Sequence, residues 1–264
     1  MHKRLHLCVF LVILFTLAVG NETGATGAGL AAELRSKIPA LAESRQLIVV
    51  TAGDWNAVGA RLQRFERADA AASWAALGPA TEVVVGRNGM AWGIGLHGTH
   101  PAAEPIKREG DGRAPAGVFR LNEIFGYATA TEAKIVAFPY KELTPSTEGV
   151  DDVRSKYYNR VVDSALISDK DWKSSEIMLR PDNLYQWGVV VENNWKPSPG
   201  AGSCIFLHVW RGPRQGTAGC TAMPKDKMEG IVRWLDRQKK PLLVQLPAQT
   251  YARMKHHWNL PAVD

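Results

Sequence analysis

The chain has 264 residues, of which 45% are hydrophobic, and it carries a formal net charge of +6. This length suits one main domain with a sizeable core, and no repeat or low-complexity tract divides it. The modest excess of Lys and Arg suits an anionic partner. These residues form no run interleaved with aromatic side chains, so we expect no nucleic-acid partner.

A signal peptide is predicted at residues 1–25. The basic stretch MHKRLH precedes the apolar run LCVFLVILFTLAVG, which is shorter than the about 20 residues of a membrane-spanning helix. We therefore expect cleavage near the end of this segment, export of the mature protein, and membrane contact only through this peptide during export. Cys8 leaves with the peptide, so the mature protein keeps Cys204 and Cys220.

The elements that follow predict a mainly β fold with a few helices. Residues 26–45 form a linker with a short helix that Pro39 interrupts, and QLIVVTAG begins a β-rich region at Gln46. ATEVVVGRNGMAWG contains a hairpin-like turn, whereas ARLQRFERAD fits either a strand or a helix. These segments predict an early antiparallel sheet, followed by a loop-rich middle over 97–194.

The C-terminal part carries the clearest periodicities. YQWGVVVENN and PGAGSCIFLHVWRG predict strands, the second with Cys204 and His208 on one face. Apolar residues at i, i+3, i+4 and i+7 predict a helix over 224–238, and PLLVQLP predicts a final strand. We place the main domain at residues 46–247 and a basic, aromatic tail, which packs on the domain or contacts wall polymer, at 248–264.

The segment HVWRGPRQGTAGCTAMP, from His208 to Pro224, contains the candidate site. Cys220 is compatible with a core thiol, half of a disulfide, a metal ligand or a nucleophile served by His208. A thiol attacks as the thiolate, which an imidazole, a helix N-terminus or a positive pocket favours, and this segment offers all three. Gly216 and Gly219 let the loop fold back and expose backbone N–H groups.

The His-x11-Cys spacing, with Thr217 and Gly219 before the cysteine, resembles the active-site motif of the YkuD-type L,D-transpeptidases. KREGDGRAPAGVF is similar to the Pro-x-Gly-x-Phe element of that family, and DDVRSKYYNRVVD, SSEIMLR, LYQWGVVVENN and PGAGSCIFLHVWRGP resemble one of its branches. The resemblance covers residues 46–247. It departs at Ala218 and Ala222, where the commoner motif has a histidine and a polar or basic residue, and in the shorter loop between histidine and cysteine.

The resemblance implies a β-sandwich-like catalytic domain in which Cys220 is the acylated nucleophile and His208 the general base. Thr217 and Gly219 would hold the turn that binds the oxyanion, and the group that orients His208 is not identifiable from the sequence. The implied partners are peptidoglycan stem peptides, and the implied roles are cell-wall biogenesis and cell shape. A thioester forms at Cys220 with release of D-Ala, and an amine or water resolves it.

Two alternatives remain open at this stage. A catalytically weak wall-binding protein that keeps the fold is motivated by Ala218 and Ala222. Transfer of the acyl group to an amine other than that of a stem peptide would use the same site and differ only in the acceptor.

Four arginines are candidates for binding substrate carboxylates through their guanidinium forks: Arg113, Arg180, Arg211 and Arg214. A solvated surface position is the alternative for each. The last two are favoured because they lie between the histidine and the cysteine.

Cys204 is expected to be a buried free thiol about 13 Å from His208 along a strand, with a disulfide to Cys220 as the alternative. His97 and His100 form an HxxH pair without an evident third ligand, so an exposed loop is favoured over a metal site. The sequence contains no HExxH motif, and we predict neither a metal nor a cofactor.

Three tryptophans on or beside strands are candidates for a glycan-binding wall: Trp187, Trp195 and Trp210. Packing in the core is the favoured interpretation for tryptophans in such positions.

Overall fold

The computed structural model describes residues 38–101 and 103–264. The predicted signal peptide, Cys8 and most of the predicted linker lie outside the described residues. What is described of the linker contains a short helix, α1 (Pro39–Glu43), with Pro39 in its first turn, where the missing N–H costs no hydrogen bond.

The described residues form fourteen strands and two further α-helices. The helices are α2 (Lys225–Trp234) and α3 (Ala248–Met254). The strands in chain order are β1 (Gln46–Ala52), β2 (Gly59–Glu66), β3 (Ala75–Ala76), β4 (Thr81–Val84), β5 (Met90–Trp92), β6 (Ala114–Gly126), β7 (Tyr140–Glu142), β8 (Thr147–Val150), β9 (Arg160–Asp163), β10 (Ser175–Ile177), β11 (Trp187–Val191), β12 (Phe206–Val209), β13 (Thr221–Met223) and β14 (Leu242–Pro247).

Eight of these strands close into a barrel. Their order is β1-β14-β6-β11-β12-β13-β4-β2, and β2 pairs back with β1. The predicted mainly β composition with a few helices therefore holds, but the predicted sandwich-like arrangement is wrong. The finding that overturns it is the position of β1, which pairs in parallel with β14 on one side and antiparallel with β2 on the other, so that the ring of strands has no open edge.

The ambiguous segment ARLQRFERAD lies mainly in β2. Ala60, Leu62 and Phe65 of this strand are buried, whereas Gly59 and Arg61 are exposed, so its first half alternates with the period of a strand. The strand pairs with β1 from Gln46 opposite Glu66 to Ala52 opposite Ala60. The pairing with β1 therefore shows that this segment is a strand, which the local sequence alone does not determine.

The long strand β6 carries much of the core beneath the candidate site. Phe125 is fully buried, and its ring contacts Tyr185 and Phe206 edge-on at 5.6 and 5.0 Å between centroids. It lies directly over Gly188 of the neighbouring strand, where a Cβ atom would stand 2.2 Å from the ring. Full burial of such a side chain contributes about 1.5–3 kcal/mol, so this cluster gives the site a rigid floor.

A separate three-stranded sheet, β10-β8-β9, stands beside the barrel and contributes Gly149 to the wall of the candidate cavity. Its central carboxylate belongs to Glu148, which accepts hydrogen bonds from Trp172 Nε1 at 2.7 Å and Ser175 Oγ, and pairs with Lys170 at 3.0 Å. Burial raises the pKa of Glu148, but these hydrogen bonds outweigh burial and bring the pKa to about 2.

The predicted C-terminal helix is confirmed but shorter than expected. Helix α2 ends at Trp234 because Leu235 leaves the helical conformation with ψ 130°, and Arg237–Lys239 form a separate 3-10 turn. Met228 and Ile231 on the predicted apolar face are buried. Within the described residues, no helix has the length and apolar character that crossing a membrane requires.

The last residues pack against the rest of the chain. Tyr251, Met254, Trp258 and Leu260 are buried, and the Tyr251 hydroxyl donates a hydrogen bond to the Pro261 carbonyl at 2.9 Å. The basic, aromatic tail was expected either to pack on the domain or to contact wall polymer, and the structure shows that it packs.

Candidate active site

Cys220 and His208 are brought together by two parallel strands. Strands β12 and β13 are neighbours with His208 opposite Ala222, and Cys220 lies two residues before Ala222, immediately ahead of β13. Side chains two residues apart share a face of a strand, so the thiol lies on the side of the imidazole. Both side chains line one cavity of about 490 Å³.

The imidazole of His208 is oriented by the main chain. His208 Nδ1 lies 2.7 Å from the backbone oxygen of Val209, and because a carbonyl oxygen only accepts, Nδ1 carries the proton. The other nitrogen, Nε2, is then the one able to accept a proton. Sequence reasoning missed this group because every residue has a carbonyl, and only the strand geometry shows which one faces the ring.

Burial keeps the pair uncharged. The two residues are only 6% and 8% exposed; burial lowers the pKa of His208 to about 4 and raises that of Cys220 to about 12. The charge of Glu176 adds to the rise, whereas the backbone N–H of Phe206, which donates to Cys220 Sγ at 3.3 Å, and the charge of Lys107 oppose it. At neutral pH the resting pair is a thiol and a neutral imidazole.

The loop before the cysteine is braced from inside. Thr217 Oγ1 donates to the carbonyl of Cys220 at 2.6 Å and accepts from the backbone N–H of Gly219 at 3.1 Å. Gly216 packs on the backbone of Arg87, where a Cβ atom would lie 2.5 Å from Cα. These contacts hold Thr217 and Gly219 in one tight turn directly before Cys220.

A chain of polar contacts supports the ring of His208. Tyr185 packs edge-on against the imidazole, with 5.3 Å between ring centroids, and its hydroxyl donates to Glu176 at 2.8 Å. Glu176 also accepts from Arg180 at 2.8 Å, and Arg180 binds Asp182 through two nitrogens at 2.9 and 2.6 Å. Tyr185 and Glu176 line the cavity and were missed by sequence reasoning.

Comparison with known proteins identifies the family of the domain that holds this cavity. The model of the YkuD family, described as the L,D-transpeptidase catalytic domain, matches residues 60–244, which is more than two thirds of the chain. The chain belongs to the YkuD family. Members of this family are cysteine L,D-transpeptidases. No curated protein matches the chain.

One solved structure resembles the YkuD domain described here. It is the crystal structure of the helical cell shape determining protein Pgp2 from Campylobacter jejuni, with 12% identity and a TM-score of 0.34. The likeness covers 80% of this chain and 55% of that one, so the chain spans about half the length of that protein.

Two of the four candidate arginines reach the cavity of the YkuD domain. Arg180 and Arg211 line it, and both pair with Asp182, Arg211 at 3.4 Å. Arg113 instead donates hydrogen bonds to the backbone oxygens of Trp55 and Met90, and it does not line the cavity. Arg214 is exposed and also lies outside the lining.

Lys107 is a cavity residue that the sequence predictions did not include. Its side chain is only 3% exposed, and its ammonium group pairs with Asp111. The segment KREGDG contains a signal for this pair, because its lysine and aspartate are four residues apart.

Both cysteines of the described chain are free. The strand expected through Cys204 is shorter than predicted: it begins at Phe206, and Cys204 has a left-handed backbone with φ 51°. The carbonyl of Cys204, rather than its thiol, faces Cys220 Sγ, at 3.7 Å. The thiol of Cys204 points to the carbonyl of Val150 at 3.6 Å, and burial raises its pKa well above the usual range.

The prediction that His97 lies in an exposed loop is wrong, because the histidine is buried. Its ring is buried, because Gly117 has no side chain where the ring lies, and it accepts a hydrogen bond from the Val118 N–H at 3.2 Å. His100 stacks on Trp92 at 5.8 Å between centroids. Among the described residues, no three His, Cys, Asp or Glu side chains are grouped to hold a metal ion.

The three tryptophans have different surroundings. Trp210 lines the cavity, Trp187 packs against Tyr140, and Trp195 is 38% exposed beneath the guanidinium group of Arg160.

Proposed function

We propose that this YkuD domain is an exported cysteine acyltransferase that acts on peptidoglycan stem peptides, with Cys220 as nucleophile and His208 as general base. One observation carries the proposal: the thiol and the imidazole line the same cavity, and Val209 holds the imidazole with Nε2 available for a proton. Family membership supports the class of reaction.

The first half of the reaction acylates the enzyme. The Sγ–H proton passes to His208 Nε2 while Sγ attacks the carbonyl carbon between the third and fourth residues of the stem. The tetrahedral intermediate then expels the nitrogen of D-Ala, which takes the proton from His208, and a thioester remains on Cys220. Burial disfavours both the thiolate and the imidazolium, so the resting pair is neutral and the charges form only as the reaction begins.

The second half transfers the acyl group. An amine of a neighbouring stem, or water, gives up a proton to His208 and attacks the thioester, which restores the thiol. The amine yields an L,D-crosslink, and water yields the product of L,D-carboxypeptidase activity. We propose these two acceptors because the family membership points to L,D-transpeptidase chemistry. We propose the periplasm or cell envelope as the location because residues 1–25 are predicted to be a signal peptide.

The loop and the arginines have separate tasks in this proposal. The turn held by Thr217 and Gly219 presents backbone N–H groups to the oxyanion of the tetrahedral intermediate. Arg211 binds a stem carboxylate, because it is the more exposed of the two arginines at the cavity and contacts Asp182 only at 3.4 Å. Arg180, held at shorter distances, supports Glu176.

The test is mass spectrometry of the mature protein mixed with disaccharide tetrapeptide, beside its Cys220→Ala variant. We expect an acyl adduct on the wild-type protein with loss of D-Ala, and no adduct on the variant. Crosslinked dimer or tripeptide among the products identifies the acceptor. Absence of both adduct and product, with the thiols shown to be reduced, would favour a wall-binding protein instead.

A further inference from the structure

Lys107 is buried beside the nucleophile. Its side chain is 3% exposed and lines the cavity that Cys220 and His208 share. The backbone N–H of Lys107 donates to the carbonyl of Trp92 at 2.8 Å, and the side-chain stem passes over Gly202, where a Cβ atom would lie 3.0 Å from Cε. The position of this lysine is therefore set by its backbone and by its packing.

The ammonium group of Lys107 is anchored on one side only. Nζ donates to Asp111 Oδ1 at 2.5 Å and to the carbonyl of Arg108 at 2.7 Å. Asp111 is itself held by the backbone N–H groups of Arg108 and Arg113, at 2.7 and 2.9 Å. An ammonium has three N–H donors, and these two acceptors leave one for the cavity.

The loop of the nucleophile passes close to this charge. Lys107 Nζ lies 3.8 Å from the point that a Cβ atom would occupy on Gly219, the residue directly before Cys220. The positive charge of Lys107 opposes the rise that burial causes in the pKa of Cys220. The backbone N–H of Phe206, which donates to Cys220 Sγ, opposes the same rise in pKa.

A purely structural ion pair is the simpler explanation for Lys107 and Asp111. Two features go beyond it: the cation is more buried than its partner, at 3% against 17% exposure, and it faces the reactive cavity. Asp111 offsets the cost of burying the ammonium, and a thiolate formed across the same cavity would be attracted by the positive charge that faces it.

We propose that Lys107 stabilises the negative charge that develops on Cys220 Sγ as its proton passes to His208. This inference deepens the function proposed above and rests on it for the roles of the two residues. No bond forms to Lys107 and it transfers no proton; it acts through its field, and Asp111 keeps it in place. The charged residues that share the cavity with it are Glu109, Asp151, Glu176, Arg180 and Arg211.

The test is the rate at which iodoacetamide, an uncharged reagent, alkylates Cys220. Mass spectrometry of the peptide that contains Cys220 measures this rate. Below the pKa of the thiol, a rise of about one unit in that pKa lowers the thiolate fraction about tenfold at each pH. The alkylation rate then falls about three- to fivefold, because the more basic thiolate is the better nucleophile. We expect this loss in Lys107→Met and a rate near that of the wild type in Lys107→Arg.

The matched control is Lys239→Met, because Lys239 is also partly buried and paired with a carboxylate, that of Glu66, but does not line the cavity. Its rate is expected to equal that of the wild type. If Lys107→Met does not fold, Lys107→Gln retains hydrogen-bond donors without the charge and is expected to show the same loss. Thermal unfolding verifies the fold of each variant.

An unchanged alkylation rate in a folded variant without the charge overturns the inference, even if KM for stem peptides rises, because Lys107 would then bind substrate. Alkylation requires no substrate, so the two proposals fail separately. A wild-type protein that forms no adduct with stem peptides refutes the proposed function, whereas the effect of Lys107 on thiol reactivity would still be measured.

Discussion

The two sides of the cavity are built differently. The barrel side carries His208 on β12 and Cys220 immediately before the neighbouring β13, over a floor of buried, mainly apolar side chains. The other side comes from the three-stranded sheet and depends on a network of hydrogen bonds to a single carboxylate, that of Glu148. Reacting groups thus sit where backbone pairing and packing leave little freedom, while the opposing wall depends on polar contacts that charge and pH can alter.

The largest expected effect comes from the barrel side, at His208. Replacing it with glutamine removes the proton acceptor while keeping a polar side chain, and we expect kcat to fall by about 10²–10⁴ with little change in KM. Steady-state kinetics on tetrapeptide check this. A loss of activity below tenfold would mean that another group serves as base.

The floor of the barrel side is tested at Gly188. Alanine there places Cβ 2.2 Å from the ring of Phe125, so the ring must move, and we expect a loss of about 1–3 kcal/mol in the free energy of unfolding. Denaturant unfolding measures it. Gly230→Ala is the control, because nothing lies within 4 Å of a Cβ atom there, and it should not destabilise.

The opposing wall is tested at Glu148. Glutamine removes the charge on which several donors converge, and we expect a local destabilisation of about 1–3 kcal/mol, seen as faster hydrogen exchange in β8–β10 with β1 and β14 unaffected. Equal acceleration in both regions would contradict the separation of the two sides.

The same carboxylate predicts a pH dependence. The pKa of Glu148 is about 2, below its ordinary value of 4.5, so its contribution to stability is complete above about pH 4.5 and is lost as the pH falls toward 2. Unfolding measured between pH 2 and 5 should show a steeper loss in the wild type than in Glu148→Gln.

The smallest expected effect is at Tyr185, where the two sides meet. Phenylalanine keeps the ring against His208 but removes the hydrogen bond to Glu176, and we expect a few-fold lower kcat/KM, worth about 1 kcal/mol. Tyr185→Leu, which also removes the edge-on ring contact, should cost more. Equal losses would show that the hydroxyl alone matters.

The sequence alone determined the parts of this protein that depend on short segments. The spacing between His208 and Cys220, with Thr217 and Gly219 in the loop, pointed to the candidate site and the family, and a period of 3.6 residues identified α2. These signals are local, because the residues concerned lie within one short continuous segment of the chain.

Only the tertiary structure decided the closure of the barrel and the surroundings of the thiol. Pairing of β1 with β14 joins segments almost 200 residues apart, and no local pattern records it. Lys107 likewise reaches the loop of Cys220 from a distant segment, and the carbonyl that orients His208 is chosen by backbone direction. Burial, which moves both pKa values, is a property of the assembled fold.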